Sequence, residues 1–531
     1  MKLAIRNLAL VAFAVLSTAM RAPAAADAAL PVVDLHAHVF NLRYLPVRGV
    51  LVARGVPKAV AEVLDRLLVA ATPLADLDGG SADALMDAEL PAIPAMSDAE
   101  ARSFVLGRIQ AASARADRRE LLDADERRAL RKYAADVLAR RDLPPGEAGD
   151  AALIDAALEK APLGPTADRS YPRFLAMLMQ DELAIVRRLG REYPKVDLFV
   201  HHLMDMENPY DDRPSLPNAG QIARLEPIGR RFPGRLAAFV AFDPFRRDDA
   251  LAVARAAVES GRAVGVKFYP PSGYRAAGNT FEPWPDKPAF WKLALRRQWK
   301  SRYGGWRGRD LDAVNRELFA WAVANDVPIL AHCTPGGFEA FTGSGRMSDP
   351  EHWRRVLVDF PRLRLALAHA GGGESWFADH GPDPDTDWDG ARDFDQRAWD
   401  LATRHENVYL DLSYSDEVLD PAKRDVLRRR LKALLAASAD RPFALGDKLV
   451  YGSDWHMVGV LDRRTEIFAE LERLFTEPAL APWKERFFAA NAVRYLRLAD
   501  YAGRAPLDPA GRAALAAFAA RAARAGAAPS R

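Results

Sequence analysis

The chain has 531 residues, and 49% of them are hydrophobic. It can therefore bury one barrel of about 250 residues with insertions, or two to three smaller domains. Its 74 Lys and Arg nearly balance its 72 Asp and Glu, and the formal net charge of +2 creates no general attraction for a polyanion. Nucleic acid is therefore not expected as a partner. The single cysteine, Cys333, excludes an internal disulfide.

The first 26 residues are typical of a secretory signal peptide. Two positive charges within residues 1–6 precede a mostly apolar run over residues 8–20, and small residues follow at 22–26. Because the apolar run is short for a hydrocarbon layer of about 30 Å, we expect cleavage and no stable membrane span afterwards. An uncleaved membrane anchor is the alternative. The pattern predicts an exported protein, either periplasmic or secreted.

Eight short apolar segments alternate with helical patterns such as residues 250–260, 311–325 and 421–437. Strands that alternate with helices indicate a parallel sheet, and eight of them predict an α/β fold of the (β/α)₈ TIM type over residues 30–505. An open doubly wound sheet is the alternative, but it would not bring the first and last strands together. The predicted strands are residues 32–38, 196–202, 236–243, 264–269, 327–332, 363–369, 407–413 and 448–454.

Long segments separate some of these strands. Residues 40–195 are predicted to form a helical insertion after strand 1, which either shapes a pocket or subunit contact at the barrel mouth or is a cap without catalytic residues. Residues 276–309 carry four tryptophans among basic residues, for which packing is favoured over substrate stacking. The acidic loop 383–396 begins like a calcium loop, but Gln396 replaces its bidentate glutamate, so a surface turn is predicted. Residues 506–531 are predicted to be a C-terminal helix and tail.

Five polar side chains with metal-binding or catalytic capacity lie at the ends of predicted strands. His36 and His38 should share one face of strand 1, because side chains alternate along a strand, and Leu35 should face the helical layer. His332 and His369 each end an apolar run, as does the carboxylate of residue 454, which is costly to bury without a partner. A lone histidine in such a place is more often a core residue than a ligand. At the carboxyl ends of strands in one barrel, side chains of this kind can converge on one divalent cation.

This arrangement resembles the amidohydrolase superfamily, in its amidohydrolase-related branch (amidohydrolase 2) of metal-dependent hydrolases and decarboxylases. The resemblance covers nearly the whole predicted barrel and excludes the long helical insertion. It implies that a strand-1 histidine pair, a strand-5 histidine and a strand-8 aspartate bind the metal. These ligands are His36, His38, His332 and Asp454. The motifs that carry the resemblance are DLHAH at 34–38, VKFYP at 266–270, AHCTP at 331–335, AHAGG at 368–372 and GSDWH at 452–456.

The resemblance also implies the catalytic roles. Asp454 moves protons, and His369 either binds a second metal or polarises the substrate carbonyl. Lys267 and Tyr269 share a strand face, and we expect both to bind substrate; Tyr274 is a further candidate. The implied cofactor is one divalent ion, with zinc favoured although manganese and iron suit the same ligands. A second ion would require a carboxylated Lys267.

The leading functional prediction is hydrolysis of a C–N or C–O bond in a small molecule (an amide, cyclic amide or lactone) by metal-activated water. Non-oxidative decarboxylation of an aromatic or unsaturated acid is the first alternative, because the same ligands can anchor a carboxylated substrate. An exported binding protein without turnover is the second. The intact ligand set argues against it, because an inactive barrel has no need to keep buried polar groups converging. The sequence does not predict the oligomeric state.

Overall fold

The computed structural model describes residues 30–78, 90, 93, 96–116, 121–140, 149–160, 170–279, 308–341, 343–378 and 393–526. The predicted signal peptide, the four tryptophans and the acidic start of the calcium-like loop lie outside the described residues. Within the described ranges, no helix combines the length and apolar character that crossing a membrane would require.

The eight predicted strands form one sheet in which every neighbouring pair is parallel and the strand order follows the chain. They are nearly continuous in buried apolar residues, because a barrel interior covers one face and helices cover the other. The TIM-type barrel is thereby confirmed, with strands shorter than predicted. The strands are β1 (Val33–Ala37), β2 (Leu198–His202), β3 (Leu236–Phe242), β4 (Gly265–Phe268), β5 (Ile329–Ala331), β6 (Leu365–Leu367), β7 (Val408–Asp411) and β8 (Leu449–Val450).

Backbone contacts join the last strand to the first. The amide of Leu35 donates to the carbonyl of Tyr451 at 3.0 Å, and the amide of Asp454 donates to the carbonyl of His36 at 2.7 Å. A parallel bridge between Ala37 and Trp455 continues this contact. The open-sheet alternative is therefore wrong, and residues at the carboxyl ends of β1 and β8 are neighbours.

Strand β1 contains one extra residue relative to β2. Asp34 pairs with Phe199, whereas Ala37 pairs with His201, so three steps along β1 match two along β2. Such a bulge re-aims side chains. Leu35 packs in one hydrophobic cluster with residues from the other strands and from the C-terminal helices.

Helices occupy most of the described residues between β1 and β2. Local signals begin its helices: Ser97 and Glu100 form a capping box, and the carboxylate of Asp181 accepts from the amide of Ala184 at 2.8 Å. The helices are α1 (Val47–Ala53), α2 (Lys58–Ala71), α3 (Asp98–Arg115), α4 (Ala124–Arg140), α5 (Asp150–Lys160), α6 (Tyr171–Leu178) and α7 (Glu182–Glu192).

Further helices follow the later strands, and the last ones pack in the same hydrophobic cluster as residues of the barrel strands. They are α8 (Glu207–Tyr210), α9 (Asn218–Arg231), α10 (Asp248–Glu259), α11 (Gly308–Asn325), α12 (Glu351–Asp359), α13 (Glu374–Phe377), α14 (Phe394–Arg404), α15 (Pro421–Ala437), α16 (Glu466–Leu474), α17 (Asn491–Leu496), α18 (Leu498–Arg504) and α19 (Pro509–Ala525).

Candidate metal centre and active site

A cavity of about 580 Å³ opens at the carboxyl ends of the strands. Its wall combines these strand ends with Phe40, Leu45 and Arg54 near α1 and with Tyr171 of α6, so the segment after β1 contributes to the pocket. Aromatic and Met side chains supply much of the remaining surface. The predicted site residues all line this cavity: His36, His38, Lys267, Tyr269, His332, His369 and Asp454.

Three residues just after β6, β7 and β8 adopt left-handed backbone conformations, which are uncommon for residues other than glycine. They are His369 (φ 58°), Tyr414 (φ 56°) and Asp454 (φ 53°). All three line the cavity. Strained backbone of this kind persists where the surrounding structure holds it, often at functional sites.

The hydrogen bond of His38 fixes which of its nitrogens is free. Its Nδ1 lies 3.0 Å from the backbone oxygen of His202, which can only accept, so Nδ1 carries the hydrogen and Nε2 has a lone pair. That lone pair faces Oδ1 of Asp454 at 3.2 Å. Two acceptors at this distance repel each other unless a positive charge lies between them.

His36 presents a third acceptor to the same oxygen. Its Nδ1 lies 3.1 Å from Oδ2 of Asp411 and donates to it, which leaves the lone pair on Nε2. Nε2 is 3.8 Å from Oδ1 of Asp454. Within the described residues that oxygen is buried and makes no hydrogen bond.

The ligand atoms of His36, His38 and Asp454 therefore fit a divalent cation. All three lie within 4.8 Å of one another and are buried. A divalent cation with nitrogen and oxygen ligands can bind all three atoms at once. The structure thus brings together three of the four predicted ligands.

Lys267 contacts this group through His36. Its Nζ lies 3.0 Å from Nε2 of His36, and the side chain is buried. Burial lowers the pKa of the Lys267 amine, and the carboxylates of Asp411 and Asp454 oppose that shift. With a pKa lowered to about 8, the amine is still mostly protonated near pH 7, and it reaches the same lone pair of His36 as the metal would.

His332 and His369 form a pair beside this group. Nε2 of His332 lies 3.0 Å from the carbonyl oxygen of Gly336 and must donate to it, so Nδ1 of His332 has the lone pair. That Nδ1 is 3.2 Å from Nε2 of His369. His332 is not among the three ligand atoms that converge on Asp454. Its role as a fourth ligand of the same ion stays a prediction.

The histidines of the site are neutral at ordinary pH. Burial, with the nearby Lys267 cation, lowers the pKa of His38 and of His332 to about 3. Burial also lowers the pKa of His369 to about 4 and that of His36 well below its usual value. Neutral imidazole is the form that binds a metal.

Tyr269 lines the cavity but uses its hydroxyl to accept a 2.7 Å hydrogen bond from the amide of Phe338. It thereby holds the loop after β5, and its ring packs on His332 with centroids 4.8 Å apart. Tyr274 is fully buried and donates to the backbone oxygen of Phe242 at 3.0 Å. Tyr274 does not line the cavity.

Sequence reasoning missed two residues that organise the site. The Asp411 carboxylate accepts from His36 and, at 2.9 Å, from the amide of His369. The Ser413 hydroxyl lies 3.0 Å from Nδ1 of His36 and 2.9 Å from Nδ1 of His369. Asp411 ends the apolar strand β7. A carboxylate at the end of an apolar run is also the pattern that identified Asp454, so the same pattern would have identified Asp411.

Comparison with known proteins agrees with this arrangement. Residues 225–498, just over half of the chain, match the family model described as amidohydrolase. The match spans the polar residues at the ends of β4 to β8, whereas the histidines of β1 precede it. No curated protein matches the chain.

Solved structures with a related fold share little sequence with this protein. An amidohydrolase from Burkholderia multivorans with bound zinc has 16% identity and a TM-score of 0.37, covering 61% of this chain and 91% of that chain. The 2,6-dihydroxybenzoate decarboxylase from Rhizobium has 16% identity and a TM-score of 0.33, covering 59% and 87%. The 5-carboxyvanillate decarboxylase from Sphingomonas paucimobilis has 11% identity and a TM-score of 0.35, covering 59% and 82%. The match over residues 225–498 shows that the chain belongs to the amidohydrolase family.

Proposed function

We propose that the protein is a metal-dependent hydrolase that cleaves a C–N or C–O bond of a small molecule, in an amide, a cyclic amide or a lactone. The observation that carries this proposal is the convergence of three buried acceptors, Nε2 of His36, Nε2 of His38 and Oδ1 of Asp454, within 4.8 Å of one another. The cavity in front of them is large enough for a small organic substrate. An exported binding protein without turnover gains no support from the family match.

The proposed cofactor is one zinc ion held by His36, His38 and Asp454. Zinc accepts imidazole and carboxylate ligands, and in hydrolases it polarises a carbonyl and makes water acidic enough to serve as a nucleophile near neutral pH. Asp411 and the backbone oxygen of residue 202 fix the histidine tautomers that present lone pairs to the ion.

Asp454 is the proposed proton carrier. Burial raises its pKa in the metal-free protein, while the neighbouring His369 and Lys267 oppose that shift. A carboxyl group so placed accepts a proton from the attacking water and returns it to the departing amine or alkoxide. His369, adjacent to it in the cavity, is the proposed group that polarises the substrate carbonyl.

Lys267 and Tyr269 are proposed to bind substrate. The buried Lys267 ammonium can pair with a substrate carboxylate, which is worth more in a site shielded from water. Tyr269 shapes the wall through its contact with the loop after β5.

A second ion is the alternative for the His332 and His369 pair. Their facing nitrogens, 3.2 Å apart, could share a cation if a carboxylated Lys267 bridged it to the first. His332 would then bind the second ion. Elemental analysis of the purified protein decides between one ion and two per chain, and intact mass reports whether carbon dioxide is bound to the lysine.

Decarboxylation of an aromatic or unsaturated acid is the second candidate reaction. The observation that favours it is the buried Lys267 cation in the cavity, which could hold the carboxylate of such a substrate. Assays on both substrate classes separate the candidates, because a decarboxylase releases carbon dioxide and a hydrolase releases an amine or an acid.

The test of the proposed function is the variant Asp454→Asn, with Asp243→Asn as a control. Asp243 is a buried carboxylate that does not line the cavity and accepts from the side chain of Asn208 at 2.6 Å. At saturating zinc we expect Asp454→Asn to hold the ion, with weaker affinity, and to lose at least about a hundredfold in turnover, because it can no longer accept the proton. The control should keep both. Unchanged turnover in Asp454→Asn would remove this residue from the mechanism.

We also propose that the protein is exported and loses residues 1–26, on the strength of their charge and apolar pattern. Expression of the full chain in a bacterium with a periplasm tests this. N-terminal sequencing of the periplasmic product should give a start near residue 27, and an intact N-terminus in the cytoplasm would contradict the proposal.

A further inference from the structure

One buried carboxylate links the two chain segments that carry the candidate metal ligands. Asp34 lies in β1, two residues before His36, and is fully buried. Its Oδ1 accepts from the amide of His36 at 3.1 Å and from the amide of Ser453 at 2.8 Å. Its Oδ2 accepts from the hydroxyl of Ser453 at 2.5 Å. Asp34 therefore fixes the start of the histidine pair to the residue before Asp454.

The Ser453 hydroxyl extends this connection past Asp454. Besides donating to Asp34, it accepts a hydrogen bond from the amide of Trp455 at 2.9 Å. The backbone on both sides of Asp454 is thus bound to one serine, which is itself bound to β1. Asp454 adds its own amide bond to the carbonyl of His36, at 2.7 Å.

This turn needs such support because its backbone is strained. Asp454 has φ 53° and His456 has φ 85°, in a region that residues other than glycine rarely adopt. Trp455 also binds the turn to a helix: its indole donates to Glu192 of α7 at 2.7 Å. Released from these bonds, the turn would relax to an ordinary conformation and move the Asp454 carboxylate away from the histidines.

We propose that Asp34 and Ser453 are positioning residues that hold Oδ1 of Asp454 within binding distance of His36 and His38. Neither side chain lines the cavity, so neither touches substrate. The inference rests on the proposed function, because it concerns the geometry of the proposed metal site. Holding this turn in place accounts for the burial of the Asp34 carboxylate between the first and last strands.

The test uses Ser453→Ala with Ser438→Ala as a matched control. Ser438 is equally buried, donates to the carbonyl of Leu435 at 2.8 Å and accepts from the amide of Leu445 at 2.9 Å, but does not line the cavity. Each variant thus loses one donated and one accepted bond. The measurements are zinc affinity by competition with a chelating dye, kcat and KM, and hydrogen exchange of the peptide 451–461 in metal-free protein.

We expect Ser453→Ala to weaken zinc binding about tenfold, as loss of a group that orients ligands does elsewhere. Exchange of the 451–461 peptide should accelerate and kcat should fall while KM changes little. Ser438→Ala should leave all of these unchanged. Equal zinc affinity and equal exchange in the two variants would overturn the proposal.

If Ser453→Ala folds poorly, the variant Asp34→Asn tests the same connection. Asp34→Asn retains the shape of the side chain and one acceptor oxygen, so it should fold. Its amide nitrogen cannot accept from the Ser453 hydroxyl, so zinc affinity should fall as it does in Ser453→Ala. Wild-type zinc affinity in Asp34→Asn would overturn the role of Asp34. Failure of the proposed function looks different, because the wild-type protein itself would then bind no zinc and show no turnover.

Discussion

Asp411 lies directly behind His36, with its Oδ2 3.1 Å from Nδ1 of the imidazole and both side chains buried. The pair joins β7 to β1 across the barrel and sets the histidine tautomer. A carboxylate in this position raises the basicity of the opposite nitrogen, Nε2, which is the one that faces Asp454. The basicity of Nε2 in His36 therefore depends on a residue 375 positions away in the chain.

Asp411→Asn should weaken zinc binding by about 10- to 100-fold, because an amide cannot accept from His36 on one side and from the amide of His369 on the other. Isothermal titration of zinc into metal-free protein measures this. Asp243→Asn, which changes a buried carboxylate outside the cavity, should keep the wild-type affinity. Equal affinities in the two variants would show that the tautomer of His36 is fixed by something other than Asp411.

Lys267→Met should raise KM for carboxylate-bearing substrates by about tenfold or more, since a hydrogen bond between charged groups in a dry site is lost. Methionine nearly preserves the volume, so folding should survive. With one ion per chain, metal content should not change, and neutral substrates should be affected less than anionic ones. Loss of bound metal together with kcat would instead identify Lys267 as a bridge between two ions.

The barrel and much of the candidate site could be predicted from the sequence, because apolar runs and the polar residues that end them are local patterns. Each strand is a short apolar run, and Asp454 is conspicuous because a carboxylate ends such a run. The bulge in β1 was not predictable, because it depends on how Asp34 and Ala37 pair with β2. The histidine tautomers were not predictable either, because their partners are a distant carboxylate and a backbone oxygen, which carries no sequence signal.

Glu182→Ala should lower the free energy of unfolding by about 3 kcal/mol, because it leaves a guanidinium without its buried partner. The Glu182 carboxylate accepts from Arg224 Nε at 2.5 Å, from the hydroxyl of Tyr44 at 3.0 Å and from the amide of Ala75 at 2.8 Å. Urea unfolding measures the change. Glu182→Gln, which keeps one acceptor, should cost less, and equal losses in the two variants would indicate that the charge alone matters.

His201 should make the metal-free protein sensitive to acid. Burial lowers its pKa from 6.5 to about 3, and its Nδ1 accepts from the amide of Val39 at 2.9 Å. Below pH 6.5 the unfolded chain protonates His201, whereas the folded chain keeps it neutral down to about pH 3. The contribution of the neutral imidazole to stability is therefore complete above pH 6.5 and is lost as pH falls toward 3. His201→Asn keeps an acceptor near the position of Nδ1, so its stability relative to wild type should improve by about 2 kcal/mol between pH 8 and pH 5. Urea unfolding at both pH values measures the difference. His405→Asn, at a less buried histidine whose pKa is also lowered, should give a smaller change, and a difference for His201→Asn that does not vary with pH would contradict the neutral buried state.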